Sequence, residues 1–192
     1  MELKPLELKQ FKKEIYKYYK ELFPTEERKP YRILKKSYNK GITIILGIKE
    51  IDKFIGFMII NKIKDNQYLQ LDYFAIFKEY QSKGYGKKSI KELKEKYNSY
   101  NGIFIEIEKL GLGENEEENI QRERRAKFYE QLGFVKLHND LELYKVIYSP
   151  YVLFCTNIRE DDKKIINDIF KIYNQILGEK RINKNCKVLT NM

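Results

Sequence analysis

The segment Gln81-Ser82-Lys83-Gly84-Tyr85-Gly86-Lys87-Lys88 joins an apolar run ending at Phe77 to a stretch with Ile90, Leu93 and Tyr97 at helical spacing. Glycines two apart let a backbone turn tightly and expose consecutive N–H groups. At the positive end of a helix dipole such groups suit an anion, a pyrophosphate above all. Lys83, Lys87 and Lys88 add mobile positive charge around that turn. The plain alternative is a tight strand-to-helix connection that holds nothing. Two familiar phosphate loops do not fit. The G-x-x-x-x-G-K-[ST] spacing fails, and Ser89 stands where G-x-G-x-x-G needs its third glycine.

A second pattern lies downstream. Ile103, Ile105 and Ile107 alternate with Phe104, Glu106 and Glu108, which predicts a strand with one apolar face and two carboxylates on the other. Asp72 belongs to an earlier predicted strand. Gly113 to Asn119 concentrates glutamates in a loop, read either as a solvated acidic stretch or as a border for a cation. His138 is the only histidine, and Cys155 and Cys186 are far apart, so neither a disulfide scaffold nor a metal site is expected.

Apolar spacing predicts the elements that hold these residues. Phe11, Ile15, Tyr18, Tyr19 and Leu22 mark a helix over 8–23, stopped by Pro24. Thr25 is a cap for a second helix through about Asn39, with a break at Pro30. Ile42 to Glu50 and Phe54 to Ile63 read as a hairpin turning at Asp52-Lys53, and Asp65-Asn66 turns the chain into a strand from Tyr68 to Phe77. The helix after Gly86 closes between Asn98 and Gly102. A later helix through Ala126, Phe128, Tyr129 and Leu132 ends at Gly133. Strands follow at Phe134 to Leu137 and Leu143 to Tyr148, separated by Asn139-Asp140, with a weaker one at Tyr151 to Thr156. An amphipathic helix from Asp161 to Leu177 precedes a polar tail.

The expected order is α-α-β-β-β-α-β-α-β-β plus a terminal helix: an α+β domain with a mixed, mostly antiparallel sheet. The chain has 192 residues, 42% hydrophobic, with a net charge of +10. That surplus suggests a polyanionic partner or a bias toward lysine without a ligand behind it. An RNA-binding module would cluster aromatics and lysines on an exposed sheet face. Here Phe54, Phe57, Tyr73, Phe128 and Phe134 follow core periodicity instead. The first 25 residues hold no secretory segment and no run reaches membrane-span length, so a cytoplasmic protein without a membrane partner is expected.

Tyr73-Phe74-Ala75-Ile76 followed by Gln81-x-x-Gly84-x-Gly86 resembles the acetyl-coenzyme A signature of the GNAT N-acetyltransferase superfamily. Arg124-Arg125-Ala126-Lys127-Phe128-Tyr129-Glu130-Gln131-Leu132-Gly133-Phe134 is similar to that family's later helix, which often ends F-Y-x-x-x-G-F. The resemblance spans about residues 1–150 and leaves 151–192 as a C-terminal strand and helix extension with a polar tail, packed on the same domain. It implies a sheet splayed between its fourth and fifth strands and acetyl-CoA as cosubstrate. Phe74, Ala75 and Ile76 would offer main-chain groups to the pantetheine arm. Gln81, Ser82, Lys83, Gly84, Tyr85, Gly86, Lys87 and Lys88 would wrap the pyrophosphate. Arg125 and Phe128 are further cofactor contacts, although Arg125 can instead pair along its helix with Gln121 or Tyr129.

The implied reaction is direct attack of a primary amine on the thioester. Tyr129 matches the family's general acid toward the thiolate. An amine with a pKa near ~10.4 also needs a base, and Glu106, then Asp72, are the candidates, directly or through water. These carboxylates and Glu108 could equally form a rim that attracts a cationic amine. Phe23, Tyr31 and Glu108 are expected on the acceptor side. The acceptor is a small molecule or, alternatively, a protein or peptide amine, and the chain is expected to be a monomer or homodimer without a nucleic-acid partner. Two positions depart from the pattern: Arg122 stands where asparagine is common, and Gln81 where arginine is common.

Overall fold

In the computed structural model, residues 1–25, 27–64 and 66–190 are described. They divide into two units, residues 1–66 with 70–97, and residues 67–69 with 98–192. The predicted turn at Asp65 falls outside the described residues.

The first unit begins with a short strand, β1 (Glu2–Pro5), which the periodicity did not predict. A helical run follows as α1 (Leu8–Gln10), a π-helical turn (Phe11–Ile15) and α2 (Tyr16–Leu22). The predicted cap at Thr25 is corrected: α3 (Tyr31–Asn39) starts only after Pro30, whose ring suits the entry to a helix and not its interior. β2 (Thr43–Glu50) and β3 (Lys53–Asn61) form the expected hairpin, and β4 (Tyr68–Ile76) returns beside β3. A 3-10 turn (Lys78–Tyr80) leads to α4 (Tyr85–Lys96). The strand order is β1-β2-β3-β4, with antiparallel pairing in each step. Phe11, Ile15, Tyr19, Leu34, Phe57, Tyr73 and Phe77 form its apolar centre, where helix stripe and strand face meet.

The second unit is built around β8 (Val146–Phe154). β5 (Gly102–Glu108) pairs with one edge of β8. β6 (Val135–Lys136) and β7 (Asp140–Leu143) pair with the other, and every pairing is antiparallel. α5 (Glu116–Glu130) connects β5 to β6. Two expectations are corrected here. The hairpin turns at Tyr144-Lys145, with φ of 51° and 73°, so Leu143 to Tyr148 is no single strand. The weaker strand expected at Tyr151 to Thr156 is the second half of β8, and residue 150 lies inside that strand. Pro150 is tolerated there because its carbonyl accepts from the Leu137 N–H (2.9 Å). Its missing N–H therefore lies on the β6 side, and the ladder to β5 loses nothing.

α6 (Asp162–Leu177) matches its predicted bounds. Asp161 caps it by accepting from the Lys164 N–H, and Ile165, Ile169, Ile172 and Ile176 are buried. The expected polar tail instead forms α7 (Glu179–Asn185) and β9 (Cys186–Leu189), which pairs with β7. Among the described residues no helix is long and apolar enough to cross a membrane.

Candidate functional site

In the first unit the chemistry gathers where β4 ends. Ile59 pairs with Tyr73 and Ile60 with Leu71, so Asp72 is a bulge residue. Beyond the bulge the Phe77 N–H bonds to the Ile55 carbonyl (2.8 Å). Antiparallel alternation then turns the main-chain groups of Ala75 toward β3 and those of Phe74 and Ile76 toward the opposite edge of β4. Of the three expected pantetheine contacts, Phe74 and Ile76 therefore present main-chain groups on that edge. The Ile76 carbonyl accepts from the Gln81 side-chain amide (2.8 Å), which fixes the start of the next turn.

That turn is shaped by two left-handed residues, Ser82 (φ 59°) and Gly84 (φ 78°). The Lys88 N–H bonds to the Gly84 carbonyl (3.1 Å), opening α4. The main-chain N–H groups of Ser82, Lys83, Gly84, Tyr85, Gly86 and Lys87 have no acceptor among the described residues. Alternating left- and right-handed residues aim such groups at one point, and the helix dipole adds to their pull on an anion. A Cβ built on Gly84 would meet no atom within 4 Å, so the cradle stands open. Lys83 bonds through Nζ to the Glu79 carbonyl (2.8 Å) and lies near the Tyr80 ring, while Lys88 lies near Tyr85.

Asp72 is engaged. Its carboxylate accepts from Lys29 Nζ at 2.5 and 2.7 Å and from Asn61 Nδ2 at 3.0 Å, and its side chain is 8% exposed. The neighbouring Tyr73 hydroxyl accepts from the Lys29 N–H (2.9 Å) and donates to the Glu27 carbonyl (2.8 Å), and the Tyr19 hydroxyl donates to the Lys29 carbonyl (3.2 Å). Burial, and then the charge on Asp72, push the Tyr73 phenol well above its ordinary value, so it stays a donor. The connection between α2 and α3 is thus strapped to β4. Phe23 packs edge-on against Tyr73 (5.0 Å) and Tyr31 against Tyr16 (5.3 Å), so both expected acceptor contacts also serve the apolar centre. A pocket of about 400 Å³ lies beside α2, lined by Tyr18, Glu21, Leu22, Lys78 and Glu79.

In the second unit Tyr129 stands in the last turn of α5. Gly133, at φ 88°, ends the helix, and the Phe134 N–H returns to the Tyr129 carbonyl (3.1 Å). The Tyr129 ring meets Phe128 and Phe134 edge-on, each at 5.1 Å. Its hydroxyl has no hydrogen-bond partner among the described residues. Burial pushes the phenol up to about 12, with Arg125 opposing.

The two carboxylates of β5 meet different partners. Glu108 accepts from Arg122 (3.2 Å) and Arg125 (2.9 Å), and Arg122 also bonds to the Lys109 carbonyl (3.2 Å). The helical pairs expected for Arg125 are therefore corrected: it reaches across to β5. Arg122, a departure from the pattern the chain resembles, serves the same ion-paired knot. Glu106 accepts a hydrogen bond from the Tyr173 hydroxyl of α6. The acidic stretch expected as a loop is corrected at its end, because Glu116 to Asn119 form the first turn of α5, and its role is local. Asn115 caps α5 by accepting from the Glu118 N–H (2.9 Å), Glu118 accepts from the Glu114 N–H (2.9 Å), and Glu116, Glu117 and Glu118 meet the positive end of the helix.

Lys29, Asn61 and Tyr173 were missed by sequence reasoning. Tyr173 had one available signal, a polar-tipped side chain beside Ile169, Ile172 and Ile176 on an apolar helix face. Lys29 and Asn61 had none, because their partner is fixed by the bulge in β4.

The sequence model of the acetyltransferase (GNAT) family matches residues 11–134. No curated protein matches the chain in sequence. Among solved structures, the chain is similar to a GNAT-family protein from Bacteroides thetaiotaomicron with a TM-score of 0.73 and 21% identity, covering 93% of this chain and 99% of that one. It is also similar to a chimera of the spermidine N-acetyltransferase SpeG from Vibrio cholerae and hSSAT (TM-score 0.59, 15% identity, 80% and 95% covered). A third similarity is to the ribosomal-protein-S18-alanine N-acetyltransferase from Escherichia coli (TM-score 0.58, 14% identity, 83% and 96% covered). At these identities the likeness is one of fold.

Proposed function

The chain belongs to the acetyltransferase (GNAT) family, and from that premise we propose that it transfers an acetyl group from acetyl-CoA to a cationic primary amine. The observation that carries the reading is the open cradle of N–H groups from Ser82 to Lys87 at the start of α4. Its donors, its lysines and the empty space over Gly84 fit the pyrophosphate of acetyl-CoA. Gln81 keeps the Ile76 carbonyl tied so that the turn holds its shape.

Acetyl-CoA, when bound, supplies a thioester that an amine can open. Tyr129 is the donor to the leaving sulfur, and its raised value keeps the proton on the hydroxyl oxygen at neutral pH until the thiolate forms beside it. Glu106 is the acceptor for the proton of an amine whose pKa is near ~10.4. Asp72 is assigned to its ion pair with Lys29, and Glu108 to Arg122 and Arg125, so neither is the base in this reading. A cationic acceptor is supported by analogy with the relative that acts on spermidine, and a protein amine by the one that acts on ribosomal-protein alanine.

The test has two parts. Acetyl-CoA should bind in calorimetry and raise the melting temperature. Thiol release from acetyl-CoA should then accelerate with spermidine, an aminoglycoside or a peptide with an N-terminal alanine, and the amine that responds names the acceptor class. A melting temperature raised by RNA and untouched by acetyl-CoA would falsify the reading.

A further inference from the structure

We propose that Tyr173, from the C-terminal extension, is a positioning residue that orients the Glu106 carboxylate for proton transfer; this rests on the reading of Glu106 as the base. β5 is paired with β8 along its whole length from Gly102 to Glu108, so the backbone that carries Glu106 is held. The glutamate side chain still has rotatable bonds, and a carboxylate that must meet an amine proton needs a fixed direction. The Tyr173 hydroxyl supplies it by donating to Oε1 of Glu106.

The phenol is itself well held. Tyr173 is 4% exposed and lies among Ile169, Ile172 and Ile176 on the buried face of α6, a helix capped by Asp161. The contrast with Glu108 sharpens the assignment. Glu108 gives both oxygens to guanidinium groups, whereas Oε1 of Glu106 accepts from the uncharged Tyr173 hydroxyl, a donor that fixes its direction. Residues beyond the family match therefore complete the working face of β5.

The experiment measures thiol release from acetyl-CoA, with spermidine and with water alone as acceptor, for the wild type, Y173F, E106Q and the double variant. Y173F should lower kcat about tenfold, the usual scale for a hydrogen bond to a charged group, and leave KM for acetyl-CoA unchanged. E106Q should lower kcat about a hundredfold or more, and adding Y173F to it should cost nothing further. A second readout needs no acetyl-CoA. The infrared carboxylate stretch of Glu106, isolated as the difference between each protein and its E106Q counterpart, should shift in Y173F. If the melt shows that Y173F does not fold, Y173M removes the same hydroxyl and fills the apolar stripe. Wild-type kcat in Y173F, or an unmoved carboxylate band, overturns the inference while a slow E106Q leaves the base reading standing. A fully active E106Q removes the base reading and this inference with it.

Discussion

Tyr129 sets the residue-scale expectation. Its hydroxyl has no partner among the described residues, and burial raises the phenol from 10.0 to about 12, so the acid form persists through neutral and mildly alkaline pH. Y129F should bind acetyl-CoA as the wild type does and lose about a hundredfold in kcat. The sign of the shift places any Tyr129-dependent fall in rate above about pH 11. A pH–rate profile with an alkaline limb below pH 10 that vanishes in Y129F would contradict the assignment. At this scale the sequence was informative where a residue's role is local. Gly84 and Gly86 announce a turn, and alternation puts Glu106 and Glu108 on one face. It was silent on partners. Arg125 lies one helical turn from both Gln121 and Tyr129, yet its guanidinium reaches Glu108, because α5 packs along β5.

At the scale of elements, the junction of β4 and α4 works through backbone shape. Gly84 holds φ at 78°, a conformation that costs a β-branched residue about 1–2 kcal/mol or more. G84V should therefore weaken acetyl-CoA binding about tenfold in calorimetry, with a lower melting temperature, since both the turn and its N–H directions change. Unaltered affinity would mean that the cradle does not hold the cofactor. The same local chemistry explains which elements were legible. α6 was bounded to within a residue because Asp161 is a cap and the isoleucines keep a helical stripe. The β7–β8 hairpin was missed because its turn places Tyr144 and Lys145 at positive φ, where asparagine and glycine are the usual residues. β1 and β9 carry no pattern long enough to declare a strand. They are strands because β2 and β7 offer them edges.

At the scale of the whole chain, the segment after residue 150 belongs to the body of the second unit. Val152 and Leu153 of β8 pair with Phe104 and Ile103, and α6 buries Ile165, Ile169, Ile172 and Ile176. Each such side chain contributes roughly 1.5–3 kcal/mol on burial, and a domain's net stability is only about 5–15 kcal/mol. A chain ending at residue 150 should lose the cooperative melt of its second unit, and amide exchange in β5 should rise to the rate of an unfolded strand; retained protection there would contradict this. The net charge of +10 is likewise resolved by placement. Lys83, Lys87 and Lys88 stand in the turn before α4 and in its first turn, while Lys29 is taken up by Asp72. The sequence by itself determined the α+β order, the glycine turn before α4 and the tyrosine helix, because turns, caps and stripes are set by residues a few positions apart. Only the tertiary structure decided that Asp72 holds Lys29, that Glu108 holds two arginines and that Glu106 meets Tyr173. Those pairs join residues distant in the chain, and a bulge, a strand register and a helix docking angle choose them.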